Sequence, residues 1–223
     1  MYANVQILEV KNHQNLRFLP ASDYGFARSL WQAPLALAEI LPAALCFPVL
    51  FSTEAQVNAL ALLGKEHNQF VSEQNQWLAS YVPVHVQRYP FVLGREKTAS
   101  DFLLMADMDA PQFKSQQGEA IFDASGKLNA HFQPVVKLML EFEAGRQSSV
   151  LQLLAEKEVL VPRSLFKRVG EQQVAIGQYR VVDQDKLAAL DDATLATWTR
   201  NGLMRLIDAH LLSLRHLDVM LQA

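Results

Sequence analysis

The densest group of chemistry-bearing side chains lies in one nine-residue stretch, YVPVHVQRY, which contains Tyr81, His85, Arg88 and Tyr89. A guanidinium is always charged and presents its donors in a planar fork, which matches a carboxylate or the C-terminus of a peptide. Two phenols and an imidazole close by add hydrogen-bonding groups with flat apolar faces. These four residues are therefore the candidate ligand-binding set. A structural reading competes with it: Arg88 would tie down a carboxylate of the protein itself, while Tyr89 and Phe91 fill the core. Trp198 and Arg180 are similar, weaker candidates.

Other residue types point to no reaction. The histidines His13, His67, His85, His131, His210 and His216 are far apart and form no HxH, HExxH or paired-cysteine pattern, so no metal site is expected. Asp107 and Asp109 share a face at a strand end and could hold a hard cation, but a solvated strand terminus is the expected reading. His131 stands near a helix start, where the dipole disfavours an imidazolium, and is given no role. The single cysteine, Cys46, lies in the apolar run LCFPVLF without a local partner, as a buried inert thiol would. There is no GxSxG elbow, and the glycines are isolated rather than grouped into a phosphate cradle. No catalytic residue is assigned and no cofactor is expected.

Half of the 223 residues are hydrophobic, enough to bury the core of one large domain or of two small, closely packed ones. A net charge of −3 leaves no electrostatic surplus for phosphate backbones, so nucleic acid is not an expected partner. The N-terminus lacks a basic leader and a long apolar core. The most membrane-like run, residues 33–51, is broken by Glu39 and three prolines and is not a spanning helix. The expected location is cytoplasmic, with leaderless export to the cell surface left open.

The elements that must hold the Tyr81–Tyr89 group follow from periodicity. The stretch alternates from Val82 to Gln87 and then turns through Arg88, Tyr89, Pro90 and Phe91, which predicts a strand running into a fixed corner. Its expected partner is the strand 101–108, reached through a surface linker at 94–100. Further strands are expected at 48–51 and 56–63, a hairpin at 69–81, and an edge hairpin or clasp from 5–10 and 16–18. Tyr24, Phe26 and Trp31, with Arg28 among them, read as core aromatics or as a stacking surface for a ligand. Glu39, the one charge in LALAEILPAAL, reads as a residue on a wet face or as a buried carboxylate, the wet face being the commoner case.

After Asn129 the period lengthens. Phe132, Val135, Val136, Met139 and Phe142, then Val150, Leu151 and Leu154, predict a long helix capped by Asn129 and stopped by Pro162. Residues 170–183 read as two short strands, and 191–221 as a helical ending that Gly202 breaks or kinks. The fold class is α+β in a single domain, 1–223. It has an antiparallel sheet of about four to six strands in the first 130 residues, packed against long C-terminal helices. The β-rich part covers about 1–128 and the helical part about 129–223.

VQRYPFVL at 86–93, EAIFDASGKL at 119–128, GKEHNQFVSEQNQW at 64–77 and the ending at 181–217, with its Gly202, His210 and Ser213, resemble the bacterial SapC-like family in order and spacing. The likeness covers roughly 40–220. The resemblance implies a soluble protein, in a family named for a protein linked to a bacterial surface layer. As the resemblance suggests, many members sit among genes for outer-membrane uptake receptors, flavin-dependent halogenases and cupin-like oxygenases. The resemblance supplies no catalytic residues. An unrelated peptide-transporter permease carries the same name, and the missing spanning helix separates this chain from it.

Three classes remain open. The favoured one is a non-catalytic binding or accessory protein that recognises a peptide, a small carboxylate or a partner enzyme in an uptake pathway. The others are a structural component of a cell-surface layer and an enzyme of unknown reaction. Small molecules, peptides and proteins are the partners to consider; the sequence does not fix the oligomeric state.

Overall fold

The computed structural model describes residues 1–20, 23–95, 102–146, 149–169 and 172–222. The first half contains β1 (Val5–Ile7), α1 (Val10–His13), β2 (Arg17–Phe18), β3 (Gln32–Leu35), α2 (Ile40–Ala44), β4 (Val49–Phe51), β5 (Ala59–Leu62), α3 (Val84–Gln87), β6 (Phe91–Arg95) and β7 (Phe102–Asp107). The second contains β8 (Glu119–Ala120), α4 (Gln133–Arg146), α5 (Gln152–Glu156), β9 (Leu160–Val169), β10 (Gln172–Val182), α6 (Gln184–Ala188), α7 (Asp192–Arg200), α8 (Leu203–Ser213) and α9 (Arg215–Gln222). Most of the predicted linker at 94–100, and the turn of the β9–β10 hairpin, lie outside the described residues.

The fold is α+β, and every described strand pairing is antiparallel. The strands fall into a five-stranded sheet ordered β3-β5-β4-β10-β9, a three-stranded sheet β1-β7-β6 and a small β2-β8 pair. The larger sheet thus takes two of its strands from beyond residue 130. β1 and β2 do not pair with each other; they clasp β7 and β8 instead. Residues 172–182 form one long strand rather than two short ones, because the irregularity between Ala175 and Gly177 bends the ladder without ending it. Pro162 does not stop the preceding helix. That helix ends by Glu158, whose φ is 53, and Pro162 lies inside β9, an edge strand where a missing N–H is tolerated.

The near-continuous apolar runs of β4 and β5 are explained by burial on both faces. Val49, Phe51, Ala59 and Ala61 pack toward α2, Trp198 and the α8 residues Leu203 and Ile207. Leu50 and Leu62 face the other way, toward Leu165, Val181 and the α9 residues Leu217 and Met220. A second core joins Phe91 and Ala106 of the smaller sheet to Phe132 and Met139 at α4. Asn129 caps the 3-10 turn leading into α4, its side chain accepting from the His131 N–H at 3.2 Å. Gly202, at φ 83, breaks the C-terminal helices between α7 and α8 in a left-handed conformation that favours glycine.

One junction in the larger sheet is unusual. Strands β4 and β10 share a single ladder position, Arg180 opposite Phe51. Two positions further along that register, where Val49 would lie opposite Val182, the His210 ring stands between the strands. Its Nδ1–H donates to the Val49 carbonyl at 2.6 Å and its Nε2 accepts from the Val182 N–H at 3.1 Å. The Val49 N–H donates to Ser213 Oγ at 2.9 Å, and that hydroxyl donates to the His210 carbonyl. Side chains of α8 therefore satisfy strand groups that the ladder leaves open, which is why two polar residues are fully buried there.

This clamp requires a neutral imidazole, and burial pushes the His210 pKa from its ordinary 6.5 down to about 4. The unfolded chain takes up the proton first. His210 therefore contributes its full stability above about pH 6.5 and loses it progressively as the pH falls toward 4. The loss is on the order of 3 kcal/mol. Urea unfolding at neutral pH and at moderately acid pH should show this fall, and His210→Gln should flatten it. Ser213→Ala should cost about 1–3 kcal/mol by orphaning the Val49 N–H.

Candidate functional site

The Tyr81–Phe91 stretch begins with an extended entry. Pro83 holds φ −57 and ψ 141, and one helical turn follows, closed by the Arg88 N–H donating to the Val84 carbonyl. The strand predicted for Val82–Gln87 is thus a helical turn, α3. Its VxV alternation serves two hydrophobic clusters rather than one sheet face: Val84 packs with Ala36 and Phe142, and Val86 with Ala27 and Val71. A cis peptide joins Tyr89 to Pro90, and β6 starts at Phe91.

Three carboxylates from three other parts of the chain converge on this turn. Glu39 is 5 % exposed, not on a wet face. It accepts from the Tyr81 hydroxyl at 2.8 Å, the Val84 N–H at 2.7 Å and the Ala36 N–H at 2.9 Å. The first-turn N–H of α3 has no helical acceptor, and Glu39 supplies one. Burial, then the neighbouring Glu39 charge, raises the Tyr81 pKa well above the phenolic range.

Glu143 of α4 accepts from Arg88 Nη1 at 2.9 Å, with Arg146 Nη1 3.6 Å from its other oxygen. The Arg88 guanidinium also lies over the Phe142 ring, 4.8 Å from its centroid. Its Nη2 sits 3.3 Å from His85 Nδ1. Because a guanidinium only donates, His85 Nδ1 accepts and the imidazole proton stays on Nε2. Burial, reinforced by the charges of Arg88 and Arg146, lowers the His85 pKa to about 3.

Asp107, at the end of β7, is 1 % exposed rather than solvated. It accepts from the Tyr89 hydroxyl at 3.1 Å and from the backbone of Ala3 and Asn4 at 3.0 and 2.9 Å. Burial alone would raise its pKa, but the hydrogen bonds from Asn4 and Ala3 outweigh it and hold the carboxyl below its ordinary value. The Asp109 N–H donates to Asp107 at 3.3 Å, and the Asp109 carboxylate accepts from the Asn4 side-chain amide at 3.1 Å, so both carboxylates are taken up by donors of the protein. The two aspartates therefore do not act as a pair. Tyr2 closes the group, its ring 6.2 Å from that of His85 and 5.3 Å from that of Tyr89.

All four candidate residues are brought into one neighbourhood, and each is already engaged from within. The open space lies on the other side of Tyr89, in a cavity of about 260 Å³ lined by Phe18, Tyr24, Phe26, Gln87, Tyr89 and Gln112. Phe26 stacks on Tyr89 with ring centroids 4.4 Å apart and planes 15° apart. Asp23 stands at the same wall. Gln112 is 3 % exposed, and its Oε1 has no hydrogen-bond partner among the described residues. Tyr81, His85 and Arg88 do not line this cavity.

Of the aromatics weighed as a stacking surface, Tyr24 and Phe26 reach the cavity, whereas Trp31 packs against the larger sheet. Phe18, Gln87 and Gln112 carried no local signal of a shared site. Arg180 is a clasp that donates to the Ser52 and Glu54 carbonyls at 2.6 and 2.8 Å, and Trp198 is a core residue. Cys46 is half-buried rather than fully buried, with its Sγ 3.2 Å from Ser80 Oγ. No cluster of three or more metal-ligating side chains occurs among the described residues, and no described helix is long and apolar enough to cross a membrane.

The geometry defines an α+β domain whose two sheets meet at a buried polar turn flanked by an aromatic cavity. The SapC family model matches residues 8–220, nearly the whole chain, and the protein belongs to that family. No curated protein and no solved structure matches it.

Removing Arg88 leaves Glu143, 15 % exposed, without its nearest cation. Arg88→Ala should therefore lower the urea-unfolding free energy by about 3 kcal/mol, and the double change Arg88→Met with Glu143→Leu should recover most of it. A loss within measurement error for Arg88→Ala would show that the pair does not hold the turn.

Proposed function

We propose that this SapC-family protein is a non-catalytic binding or accessory protein, and that it takes a small molecule or one side chain of a peptide in the cavity against Tyr89. The observation that carries this reading is the composition of the wall. Aromatic faces supply apolar contact at low entropic cost, while the Gln112 amide and the Asp23 carboxylate supply orientation. The volume, about 260 Å³, lies below the range of drug-sized sites and suits an amino acid or a single side chain better than a nucleotide.

The chemistry of the turn supports binding over catalysis. Arg88 has its carboxylate in Glu143, Tyr81 and Tyr89 have theirs in Glu39 and Asp107, and His85 accepts from Arg88. None of them is left as a free base or nucleophile. A ligand carboxylate would have to displace Glu143 to reach Arg88, so the reading assigns ligand contact to the aromatic side.

Native mass spectrometry against the denatured mass would show a ligand retained from purification. Trp77, whose ring centroid is 5.5 Å from that of Tyr24, gives an optical reporter for titration with amino acids and dipeptides. A saturable change is expected with at least one of them, weakened about tenfold, or ~1.4 kcal/mol, by Tyr24→Ala, compared at a temperature where circular dichroism shows the variant folded. No retained mass and no saturable change, or binding that Tyr24→Ala leaves intact, would contradict the proposal.

A further inference from the structure

A second opening, about 420 Å³, lies between α2 and α8. Leu41, Pro42 and Leu45 form one wall, and Ala209 and Leu212 the other. Leu45 and Leu212 are among the most exposed large apolar residues, at 72 % and 68 %. The outward face of α8 and α9 carries Arg205, Asp208, Leu212, Arg215 and Val219, all exposed, at alternating three- and four-residue steps. That is the spacing of a helix-packing seam. Leu214 joins the two helices with φ −62 and ψ −23, so the seam crosses the junction, and His216 Nε2 ties it to the Ala44 carbonyl at 3.2 Å.

The order of charges along this seam indicates what covers it. Arg205, Asp208 and Arg215 have no ion-pair partner among the described residues. An acidic helix would answer the two arginines but set a like charge against Asp208, in the middle of the stripe. A second copy of this chain lying antiparallel, with the two-fold axis near Leu212, answers differently. Asp208 is about one helical turn from the axis on one side and Arg215 about one turn on the other. Each Asp208 then meets the second copy's Arg215, twice by symmetry, while Leu212 packs on its twin.

We propose that the α2–α8 groove and its seam form an isologous homodimer interface, independent of the Tyr89 cavity. A single helix pair is a small interface and area does not set affinity, so association is looked for up to high protein concentration.

The test is sedimentation velocity of the full chain up to about 500 µM. Wild type should pass from monomer to dimer across that range. Leu212→Asp should abolish association with the unfolding midpoint kept, since Leu212 is a surface residue in the monomer. Asp208→Arg alone and Arg215→Asp alone each place like charges at both contacts, and each should weaken association by about tenfold or more. An equimolar mixture of those two variants restores opposite charges at both contacts and should dimerise as wild type does. A wild-type monomer throughout the range, or a mixture no better than either variant alone, would overturn the proposal. Capture of an acidic helix or of lipid vesicles by a chain that stays monomeric would overturn it as well.

Discussion

Burying a carboxylate costs several kcal/mol unless donors replace the lost water, and this protein buries or half-buries three around one turn. Glu39 enters from just before α2, Glu143 from α4 and Asp107 from β7. The turn answers them in sequence with the Tyr81 hydroxyl, the Val84 N–H, the Arg88 guanidinium and the Tyr89 hydroxyl. Together these bonds tie three separate parts of the chain to the same few residues. The larger sheet, the smaller sheet and α4 therefore cannot shift relative to the turn without exposing or orphaning a charge.

The same arrangement shapes what the protein can bind. Because the polar heads of Tyr81, Arg88 and Tyr89 point toward internal carboxylates, the turn meets the open space with Val86, Gln87 and the ring of Tyr89. Tyr89 is fixed at its hydroxyl by Asp107 and along its ring by Phe26. The Tyr89 part of the wall is thus held in place before any ligand arrives, which lowers the entropic cost of ordering it on binding. The larger sheet is held with similar economy: His210 and Ser213 complete the ladder where β4 and β10 separate, so α8 is part of the sheet's hydrogen bonding as well as its cover. That fixes one face of α8 and leaves the other available for contact between copies.

Much of the fold was legible in the sequence because it rests on local pattern. The apolar runs of β4 and β5, the change of period after Asn129 and the break at Gly202 each reflect a local physical preference. The four residues singled out at the turn do lie together, since they are neighbours in sequence. Their partners were not legible. Glu39 and Asp107 look like solvated charges because nothing near them in sequence reveals donors from more than 40 residues away in one case and from Ala3 and Asn4 in the other. Val84–Gln87 reads as strand because four residues cannot separate a period of two from one helical turn, and Glu39 decides between them by accepting the Val84 N–H. The cavity wall is assembled from Phe18, Phe26, Tyr89 and Gln112, on segments whose proximity only the tertiary fold creates.

The central claim is that the Tyr81–Phe91 turn is a closed polar hub, with its charges answered inside the protein. The most direct test is the protonation of His85, followed through its ring nitrogens by NMR as the pH is lowered. A closed hub keeps His85 neutral with its proton on Nε2, its Nδ1 accepting from Arg88, and places its titration at about pH 3 or beyond the onset of acid unfolding. A His85 that titrates near 6.5 in the folded protein would mean that water or a free carboxylate reaches the ring, and the closed-hub account would fail.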